Sequence, residues 1–353
     1  MSIVSSILGR ISRDIGIDLG TANTLVYVKG RGIVINEPSV VAVNTRTDQI
    51  LAVGSEAERM MGKTPPHIVA TRPLVDGIIS DFEVTEKMLK YFIDKVHQEA
   101  FALLPRPRVV VAIPTEVTEV EKKAVEDVVR SAGARSVFLI EEPMAAAIGI
   151  RLPVGEPTAS MVVDIGGGTT EIAVISLSGI VTAKSLRHAG DELNQNIVQF
   201  AREQFNLLLG EGVAEDIKIQ IGSAAPLATP LETTMRGRDL VSGLPKEVVV
   251  NDTQVRQAMA RSIRVMIDTI KSTLEVTPPE LVADIYERGI VLAGGGALLK
   301  NIDVAIAEAT QIPVRIADDP LTCVVRGTGI LLDNPELLKD VTIPSAQEGT
   351  YTR

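Results

Sequence analysis

Cysteine and histidine are scarce in this sequence of 353 residues. Its single cysteine, Cys323, excludes a disulfide framework and a cysteine-based zinc site, and is typical of a protein of the reducing cytosol. The three histidines, His67, His97 and His188, lie far apart in the sequence without the spacing of metal ligands. We therefore expect neither metal–imidazole chemistry nor Ser–His catalysis.

An excess of positive charge and long apolar runs are also lacking. The formal net charge of −10 argues against a protein that binds nucleic-acid phosphates. No apolar run reaches the roughly 18 residues that span a bilayer, and no secretory signal pattern opens the sequence. With 45% hydrophobic and 23% charged residues, the chain has the composition of a globular protein and the length for two domains. We expect a soluble, cytosolic protein.

A glycine-rich turn, Gly166-Gly167-Gly168, interrupts the apolar stretch 161–175 and predicts two tightly joined β-strands. Glycine has no Cβ, so the backbone N–H groups of this turn can converge on an anion. Thr169 and Thr170 add hydroxyl donors, and Asp164 places a carboxylate nearby. A carboxylate beside a phosphate is favourable only with a cation such as Mg²⁺ between them. A plain hairpin with a glycine turn is the alternative for one such stretch.

The same pattern occurs a second time, in residues 15–28. The two stretches align with Asp18 on Asp164, Gly20 on Gly166, Asn23 on Thr169 and Thr24 on Thr170. A third β-rich segment follows each predicted hairpin, at residues 32–35 and 179–182. Two strand–turn–strand units with the acid at the same offset indicate a duplicated fold that faces one nucleotide from both sides.

Strands and helices alternate from residue 109 onwards. The pattern predicts a strand at 109–113, a helix at 115–132 that Gly133 ends, a strand at 136–140 and a helix at 144–150. Glu141 and Glu142 fall at the second strand-to-helix junction, where residues of open α/β sheets meet ligands. Pro143 suits the first helical turn. Acidic residues are also ordinary capping groups at helix N-termini, and this alternative stays open for either glutamate.

The rest of the chain shows a similar mixture of elements. The pattern predicts strands at 39–43, 50–53 and 289–293, β-structure within 224–250, and helices at 55–61 with Ser55 as N-cap, at 84–96, from Gly190-Asp191 to 209, and at 214–221, 253–274, 281–287 and 297–310. Gly294-Gly295-Gly296 is a further place where a ligand can approach the backbone. The tail 344–353 is polar, and we expect it to be disordered.

Two apolar segments are unusual for an acidic protein. Residues 3–11, from Ile3 to Ile11, place apolar side chains on one stripe of a short helix, which needs an apolar surface such as a bilayer interface. Residues 101–104, from Phe101 to Leu104, form an apolar loop. Packing of both segments on the protein itself, or a frayed N-terminus, is the alternative to peripheral membrane contact.

Several motifs resemble those of a known superfamily. Asp18-Leu-Gly-Thr, Asp164-Ile-Gly-Gly-Gly-Thr and Leu292-Ala-Gly-Gly-Gly296 resemble the phosphate-1, phosphate-2 and adenosine motifs of the ATPase superfamily of actin, heat-shock chaperones and sugar kinases. Within it, Asp18-Leu-Gly-Thr-Ala-Asn-Thr-Leu, Asn36-Glu-Pro-Ser-Val-Val-Ala, Arg72-Pro with Asp76-Gly77, Phe138-Leu-Ile-Glu-Glu-Pro-Met-Ala-Ala-Ala-Ile-Gly149 and Pro278-Pro-Glu-Leu resemble the MreB family of bacterial actin homologues. The resemblance covers residues 14–335.

The resemblance implies an α/β, actin-like fold. It consists of two duplicated RNase-H-like domains, each with a smaller inserted subdomain, and a nucleotide cleft between them. By this resemblance subdomain IA is 14–32, 68–150 and 320–340, IB is 33–67, IIA is 151–185 and 253–319, and IIB is 186–252, with a membrane-binding segment at 1–13 and a flexible tail at 341–353.

The resemblance also implies site residues for ATP and Mg²⁺. Asp18 and Asp164 would hold Mg²⁺ through water, and Glu142 would orient the attacking water with Thr169. Glu142 is preferred to Glu141 because a residue facing the cleft alternates with one facing the other side of the sheet. The ATP-binding residues would be Thr21, Ala22 and Asn23; Gly166, Gly167, Gly168 and Thr169; Glu215 and Lys218 near the ribose and base; Gly294, Gly295, Gly296, Ala297 and Leu298 near the adenine; and Gly190, Asp191, Asp216 and Ile217.

The function implied is that of a polymerising ATPase with slow hydrolysis. Members of the family form membrane-bound filaments, described as antiparallel pairs, that guide cell-wall synthesis in rod-shaped bacteria. The implied partners are further copies of the chain, the cytoplasmic face of the cell membrane through residues 3–11 and 101–104, and membrane proteins of cell-wall synthesis, but no nucleic acid. The alternative is a non-polymerising ATPase such as a small-molecule kinase, for which no insertion resembling an acceptor pocket is evident.

Overall fold

Short apolar strands and amphipathic helices alternate along the protein in a computed structural model that describes residues 13–97 and 106–344. The described strands are β1 (Ile15–Leu19), β2 (Asn23–Val28), β3 (Gly32–Pro38), β4 (Val41–Asn44), β5 (Gln49–Val53), β6 (Ile68–Thr71), β7 (Leu74–Val75), β8 (Ile78–Ile79), β9 (Arg108–Ile113), β10 (Ser136–Glu141), β11 (Ser160–Ile165), β12 (Thr170–Ser176), β13 (Gly179–Leu186), β14 (Leu207–Leu208), β15 (Glu232–Asp239), β16 (Pro245–Asn251), β17 (Ile290–Ala293) and β18 (Val314–Ile316). The described α-helices are α1 (Ser55–Glu58), α2 (Phe82–His97), α3 (Glu119–Ser131), α4 (Glu142–Gly149), α5 (Gly190–Phe205), α6 (Glu211–Ile221), α7 (Asp252–Val276), α8 (Pro279–Arg288), α9 (Ile302–Thr310), α10 (Cys323–Asp333) and α11 (Pro335–Val341).

The chain divides into two compact units. Unit 1 consists of Met1–Glu156, Leu177–Ile180 and Thr322–Arg353, and unit 2 consists of Pro157–Ser176 and Val181–Leu321. Each unit is built on a five-stranded sheet, with strand order β10-β9-β1-β2-β3 in unit 1 and β18-β17-β11-β12-β13 in unit 2. The two orders match strand by strand, with a hairpin in the same place in each sheet. The predicted duplication is therefore confirmed.

One face of each sheet packs into a hydrophobic core. In unit 1, Ile17, Val111 and Leu139 lie at matching register on three parallel strands and pack with Phe92 of α2. In unit 2, Met161, Val163 and Ile165 belong to the corresponding cluster. Burial of each such side chain stabilises the fold by about 1.5–3 kcal/mol. The cores hold the strand ends, and hence the turns that follow them, in fixed positions.

Smaller sheets accompany the two large ones. Unit 1 carries β5-β4-β6, and unit 2 carries β14-β15-β16. The strand β16 leads directly into the long helix α7, which begins with a capping box in which Asn251 accepts from the backbone N–H of Gln254 and the Gln254 side chain accepts from that of Asn251. This capping box explains why α7 starts at Asp252, one residue before the predicted position.

Several predicted boundaries were wrong, and each has a local physical reason. The helix predicted at 115–132 begins only at Glu119, because Thr118 and Glu121 form a capping box. The helix predicted to reach residue 209 ends at Phe205, because Asn206 adopts the left-handed conformation with φ 50°. Ser55 is not the N-cap of the short helix α1; its hydroxyl donates to Glu37 Oε2 at 2.8 Å.

The single helix predicted at 297–310 is two pieces. A 3₁₀ helix spans Gly295–Leu298, and α9 starts only at Ile302. Asn301 separates them in the left-handed conformation with φ 58°, and its side chain donates to Pro226 O at 2.8 Å. The break is thus held by a contact that is distant in sequence, which local patterning does not contain.

Among residues 13–97 and 106–344, no helix has the length and apolar character needed to cross a bilayer. The predicted N-terminal stripe at 3–11, the apolar loop at 101–104 and nearly all of the polar tail lie outside the described residues.

Candidate functional site

The glycine triplet of unit 2 forms the turn of a buried hairpin. Asp164 of β11 lies opposite Glu171 of β12, and Ile165 lies opposite Thr170. The N–H of Gly166 donates to Thr169 O at 2.9 Å and closes the turn. Every residue of both strands is buried. The turn and Asp164 are therefore held on a rigid support.

The hairpin of unit 1 has the same register and the same turn hydrogen bond. Asp18 lies opposite Leu25, and Leu19 lies opposite Thr24. The N–H of Gly20 donates to Asn23 O at 3.1 Å, which matches the Gly166 bond of unit 2. A side chain at Gly20 would bring its Cβ within 2.8 Å of Asn23 O. Both turns are thus closed by a hydrogen bond between the same pair of backbone atoms.

Both aspartates lie at the carboxyl edge of a parallel part of their sheet. Asp18 pairs with Ala112 of β9, and Asp164 pairs with Ala293 of β17, in parallel register in each case. Each aspartate is the next-to-last residue of its strand. Open α/β sheets bind ligands at this edge. The structure therefore gives Asp18 and Asp164 the same place in equivalent sheets.

The surroundings of Asp164 disfavour the ionised form of its carboxyl group. It is buried, and burial together with the negative charge of Glu171 raises the pKa of Asp164 to about 7. Glu171 is also buried and accepts a hydrogen bond from Ser185 Oγ at 2.6 Å. Sequence reasoning did not single out Glu171, although a charged residue in an otherwise apolar strand was the available signal. Two buried carboxylates fit a hard cation such as Mg²⁺.

The glycine loop after β17 approaches Asp164 closely. Gly294 has φ 78°, and a Cβ there would lie 2.3 Å from Asp164 Oδ1 and 2.3 Å from Ile165 O. In the 3₁₀ helix that follows, Ala297 is buried and Leu298 is 55% exposed. The structure thus brings the predicted adenosine motif against the predicted second phosphate motif.

We expect Gly294→Ala to lower ATP affinity at least tenfold and to lower the melting temperature, because the added Cβ forces Asp164 or Ile165 to move. Gly30→Ala is a matched control, since Gly30 has φ 80° but nothing within 4 Å of an added Cβ. In both variants the alanine has a positive φ, which costs about 1 kcal/mol of backbone strain, but only Gly294→Ala adds a clash. Titration of a fluorescent ATP analogue and thermal denaturation compare them; equal behaviour would show that close approach to Asp164 is unimportant.

The first residues of α5 hold the second glycine loop. The N–H of Gly190 donates to Gly166 O at 3.1 Å, and that of Asp191 donates to Gly167 O at 2.8 Å. Lys218 Nζ of α6 donates to Gly190 O at 2.9 Å. These predicted site residues are thus brought together, with the backbone groups of Gly190 and Asp191 engaged in positioning the loop.

The remaining predicted residues of α6 point in different directions. Ile217 is 2% exposed and belongs to the hydrophobic core of unit 2. Asp216 is exposed, and Glu215 is half-buried. Glu215 and Lys218 are three residues apart and share one face of the helix. The structure therefore places Glu215 and Lys218 on one face of this helix, with Lys218 in contact with the Gly190 carbonyl.

The first glycine loop, in unit 1, is tied to the β7–β8 turn. Thr21 is 7% exposed, and its Oγ1 accepts from the N–H of Gly77 at 2.9 Å. The Ala22 carbonyl accepts from the N–H of Ser39 at 2.9 Å, and the Ser39 hydroxyl donates to Gly20 O at 2.6 Å. Ser39 was missed as a positioning residue, although it lies in the motif that begins at Asn36. These contacts fix the loop that would meet a phosphate.

Glu142 lies at the same sheet edge as Asp18. It is the first residue of α4, directly after β10, and is half-buried. Ile140 of β10 pairs with Ala112, which itself pairs with Asp18. Because neighbouring strands are about 4.8 Å apart, Ile140 and Asp18 are about 10 Å apart across the sheet. Glu141 is the N-cap residue of α4 but makes no capping hydrogen bond through its side chain, so capping does not explain it.

No group of three or more His, Cys, Asp or Glu side chains in the described part of the chain could hold a metal ion. Mg²⁺ in nucleotide sites takes one or two carboxylates and completes its shell with phosphate oxygens and water. A single aspartate at each glycine loop therefore fits Mg²⁺ in company with a polyphosphate.

The sequence also matches a known protein family and several of its members. The family model described as MreB/Mbl protein matches residues 12–340. The cell shape-determining protein Mbl of Bacillus subtilis (strain 168) is 50% identical over 327 residues, 93% of this chain and 98% of that protein. The cell shape-determining protein MreB of Escherichia coli (strain K12) is 52% identical over 331 residues, 92% of this chain and 94% of that protein.

Solved structures share the fold. MreB5 of Spiroplasma citri bound to ADP superposes with a TM-score of 0.87 at 38% identity, covering 94% of this chain and 98% of that one. MamK, solved as a double helical filament, superposes with a TM-score of 0.78 at 22% identity, covering 92% and 99%. The predicted actin-like fold is therefore confirmed, and with half of its residues identical to those of Mbl and MreB over nearly its whole length, the chain is a member of the MreB/Mbl family.

Proposed function

We propose that this chain is an ATP-dependent cytoskeletal protein that polymerises into membrane-associated filaments and maintains rod cell shape by organising cell-wall synthesis. The pair of equivalent hairpins carries the proposal, because each unit presents one glycine loop and one edge aspartate in matching register. The names of its relatives, cell shape-determining proteins, support the cellular role.

Both glycine loops would act on the same Mg·ATP. ADP bound to the relative MreB5 supports nucleotide binding. Asp18 and Asp164 would hold Mg²⁺ through water, and the cation would neutralise the phosphate charge during hydrolysis. Buried Asp164 is expected to lose its proton when the cation binds, since its pKa in the free protein lies near 7. Glycine at position 294 avoids the clash that a Cβ would make with Asp164 Oδ1.

Glu142 and Thr169 would orient the attacking water. Glu142 stands at the carboxyl edge of the unit 1 sheet, and Thr169 closes the turn of the unit 2 hairpin. Phosphoryl transfer is accelerated mainly by positioning and charge stabilisation, so a single positioned carboxylate without a general-base histidine fits slow turnover. Slow hydrolysis coupled to assembly is the activity that we propose.

Sedimentation tests the assembly part of the proposal. The protein is expected to pellet in high-speed centrifugation with Mg·ATP and to stay in the supernatant without nucleotide. Pelleting that ignores nucleotide would contradict ATP-dependent assembly. A kinase of the same fold would remain in the supernatant and would transfer phosphate to a small molecule, which phosphate-release and acceptor assays distinguish from hydrolysis.

The two apolar segments would contact the membrane together. Residues 1–12 precede Arg13, and residues 98–105 follow His97, whose Nε2 lies 3.3 Å from Arg13 O. After the second segment, the N–H of Arg108 donates to Asp14 Oδ1 at 3.1 Å. The described residues that flank the two segments are therefore in contact, which supports a shared membrane surface beside which membrane proteins of cell-wall synthesis would be organised.

We expect a variant that lacks residues 1–12 and carries Phe101→Ser to lose most of its co-pelleting with liposomes, because both apolar contributions to insertion are removed. Each single change should give a partial loss. ATP binding serves as the control for folding. Liposome binding equal to that of the full chain would refute the membrane proposal while leaving the nucleotide proposal intact.

A further inference from the structure

Two elements of unit 2 carry the side chains proposed to meet the ribose and the base. We define helix α6, with Glu215 and Lys218, as the first wall, and the 3₁₀ helix that contains Ala297 and Leu298 as the second wall. The chain between the two walls forms β15, β16, α7, α8 and β17. The spacing of the walls is therefore set by tertiary contacts and not by the chain that joins them.

The side chain of Lys300 connects the two walls. Lys300 stands two residues after the second wall, and its Nζ donates to Ile219 O at 2.7 Å and to Gln220 O at 2.9 Å. Both carbonyls belong to the last turn of α6, where carbonyl groups have no partner within the helix. Gly222, which follows this turn, is extended, with φ −63° and ψ 139°, and so is not a left-handed cap. The Lys300 ammonium takes over this capping role and also stabilises the negative end of the helix dipole.

The backbone beside Lys300 is joined to the same end of α6. The N–H of Ala224 donates to Lys300 O at 2.8 Å, and Ser223 forms a parallel β-bridge with Lys300. A Cβ on Gly222 would lie 3.2 Å from Leu299 Cδ1, so glycine at this position avoids a tight contact between the two segments. These contacts do not involve the Lys300 side chain. A substitution of Lys300 therefore removes the ammonium contact and leaves the backbone contacts in place.

We infer that Lys300 is a positioning residue for the nucleoside part of the bound nucleotide. The inference rests on the proposed ATP binding and adds a residue that acts through α6. Lys218 holds the middle of α6 at Gly190 O, and Lys300 holds its C-terminal end, so the first wall is fixed at two points. Positioned groups bind a ligand without a further loss of conformational freedom.

The phosphate part of the site has separate supports. The second glycine loop is held by the N–H groups of Gly190 and Asp191, which donate to the carbonyls of Gly166 and Gly167. Loss of the Lys300 ammonium removes none of these hydrogen bonds. We therefore expect a change at Lys300 to weaken binding of the nucleoside and to leave binding of the phosphates intact.

Lys300→Met tests this role, because methionine keeps an unbranched apolar side chain and removes the ammonium group. Displacement of a fluorescent ATP analogue is measured with Mg·ATP, with adenosine and with Mg·tripolyphosphate. We expect the affinities for ATP and adenosine to fall about tenfold, since hydrogen bonds from a charged donor are the stronger ones, and the affinity for tripolyphosphate to stay within about twofold. With saturating ATP, turnover should also stay within about twofold, so that KM rises while kcat does not.

Lys29→Met is the matched control. Lys29 Nζ donates to Leu332 O, in the last turn of α10, at 2.8 Å, so this lysine also caps a helix, but it lies in unit 1 whereas both walls lie in unit 2. We expect its affinities for ATP and adenosine to stay within about twofold of the wild type. Lys300→Arg keeps the charge and the donors, and it should bind ATP within about threefold of the wild type.

Failure of the positioning role and failure of the proposed function have different results. If Lys300→Met loses tripolyphosphate as strongly as adenosine, its effect is a general loss of structure and the positioning role is wrong. If the wild type binds ATP and Lys300→Met binds ATP and adenosine equally well, the positioning role is wrong and the proposed function stands. If the wild type itself binds no ATP, the proposed function fails and the role of Lys300 falls with it.

Discussion

The Asp164→Asn variant should unfold at a higher temperature than the wild type at pH 8 when metal and nucleotide are absent. In the folded protein the pKa of Asp164 is raised to about 7 by burial and by the charge of Glu171, whereas its ordinary value is 3.8. At pH 8 folding therefore requires a buried carboxylate to stay ionised beside another carboxylate. Asparagine has nearly the same shape and removes the charge.

The sign and size of this stability difference follow from the difference in proton binding between the folded and the unfolded state. Between about pH 4 and pH 7 the folded state holds a proton that the unfolded state has lost, so this contribution to the free energy of unfolding falls as the pH rises. Above pH 7 the loss is complete and amounts to about 4 kcal/mol for three pKa units. We therefore expect the advantage of Asp164→Asn to be largest at pH 8 and less than half as large at pH 5.

With Mg·ATP present, the wild type should become more stable than the Asp164→Asn variant. The wild type gains stability in proportion to ligand occupancy, while the variant lacks the carboxylate proposed to hold the cation. Thermal denaturation at pH 5 and pH 8, with and without Mg·ATP, measures both effects. Asp268→Asn is the control, because Asp268 is exposed on α7 and its loss changes the net charge equally. A variant that is no more stable than this control at pH 8 would contradict the buried-charge explanation.

The Glu142→Ala variant should bind ATP within about threefold of the wild type while its turnover falls about 100-fold or more. A positioned acid–base group contributes roughly 10²–10⁴ to the rate, and a water-orienting group acts in the transition state and not in ground-state binding. Glu142 is the first residue of α4 at the edge of the sheet that carries Asp18. Single-turnover phosphate release, with ATP affinity measured separately, gives both quantities.

Glu141→Ala is the matched control for this prediction. Both glutamates are half-buried and consecutive, but Glu141 is still part of β10, opposite Ile113. We expect this control to turn over ATP within about threefold of the wild type. If the two variants exchange their behaviour, Glu141 is the water-orienting residue. If Glu142→Gln and Glu142→Ala both hydrolyse ATP normally, neither the charge nor the volume of Glu142 matters.

Patterns that are local in sequence predicted the most important parts of the fold. The two hairpins are recognisable because Asp18 and Asp164 stand at the same offset before a glycine, and in both the register confirms that alignment. The helices α2 and α4 were also predicted within two residues, since apolar spacing and a proline at the first turn mark them. In these stretches, local preference and tertiary packing favour the same structure.

The features that local sequence patterns did not reveal depend on long-range contacts. The helix α10 follows a strand of unit 2 but belongs to unit 1, where it packs against α4 at backbone contact distance. A Cβ on Gly149 would lie 1.9 Å from Cys323 O, and one on Gly327 would lie 1.8 Å from Ala145 O. No local pattern within α10 indicates that partner, and only the family resemblance had assigned 320–340 to the same subdomain as 68–150. Glu171 is a different case, because its position opposite Asp164 follows from the predicted hairpin and its charge in an apolar strand was a signal that was overlooked.

Helix α5 connects the second glycine loop with the turn between β15 and β16. Its first residues donate hydrogen bonds to Gly166 and Gly167, and Asn206, just past its last turn, accepts one from Leu240. Its 16 residues make a stiff lever about 24 Å long. A rotation of a few degrees at the loop would displace the far end by more than an ångström. If the second glycine loop binds a phosphate as proposed, the loss of that phosphate would move the turn between β15 and β16 without any hinge in the helix.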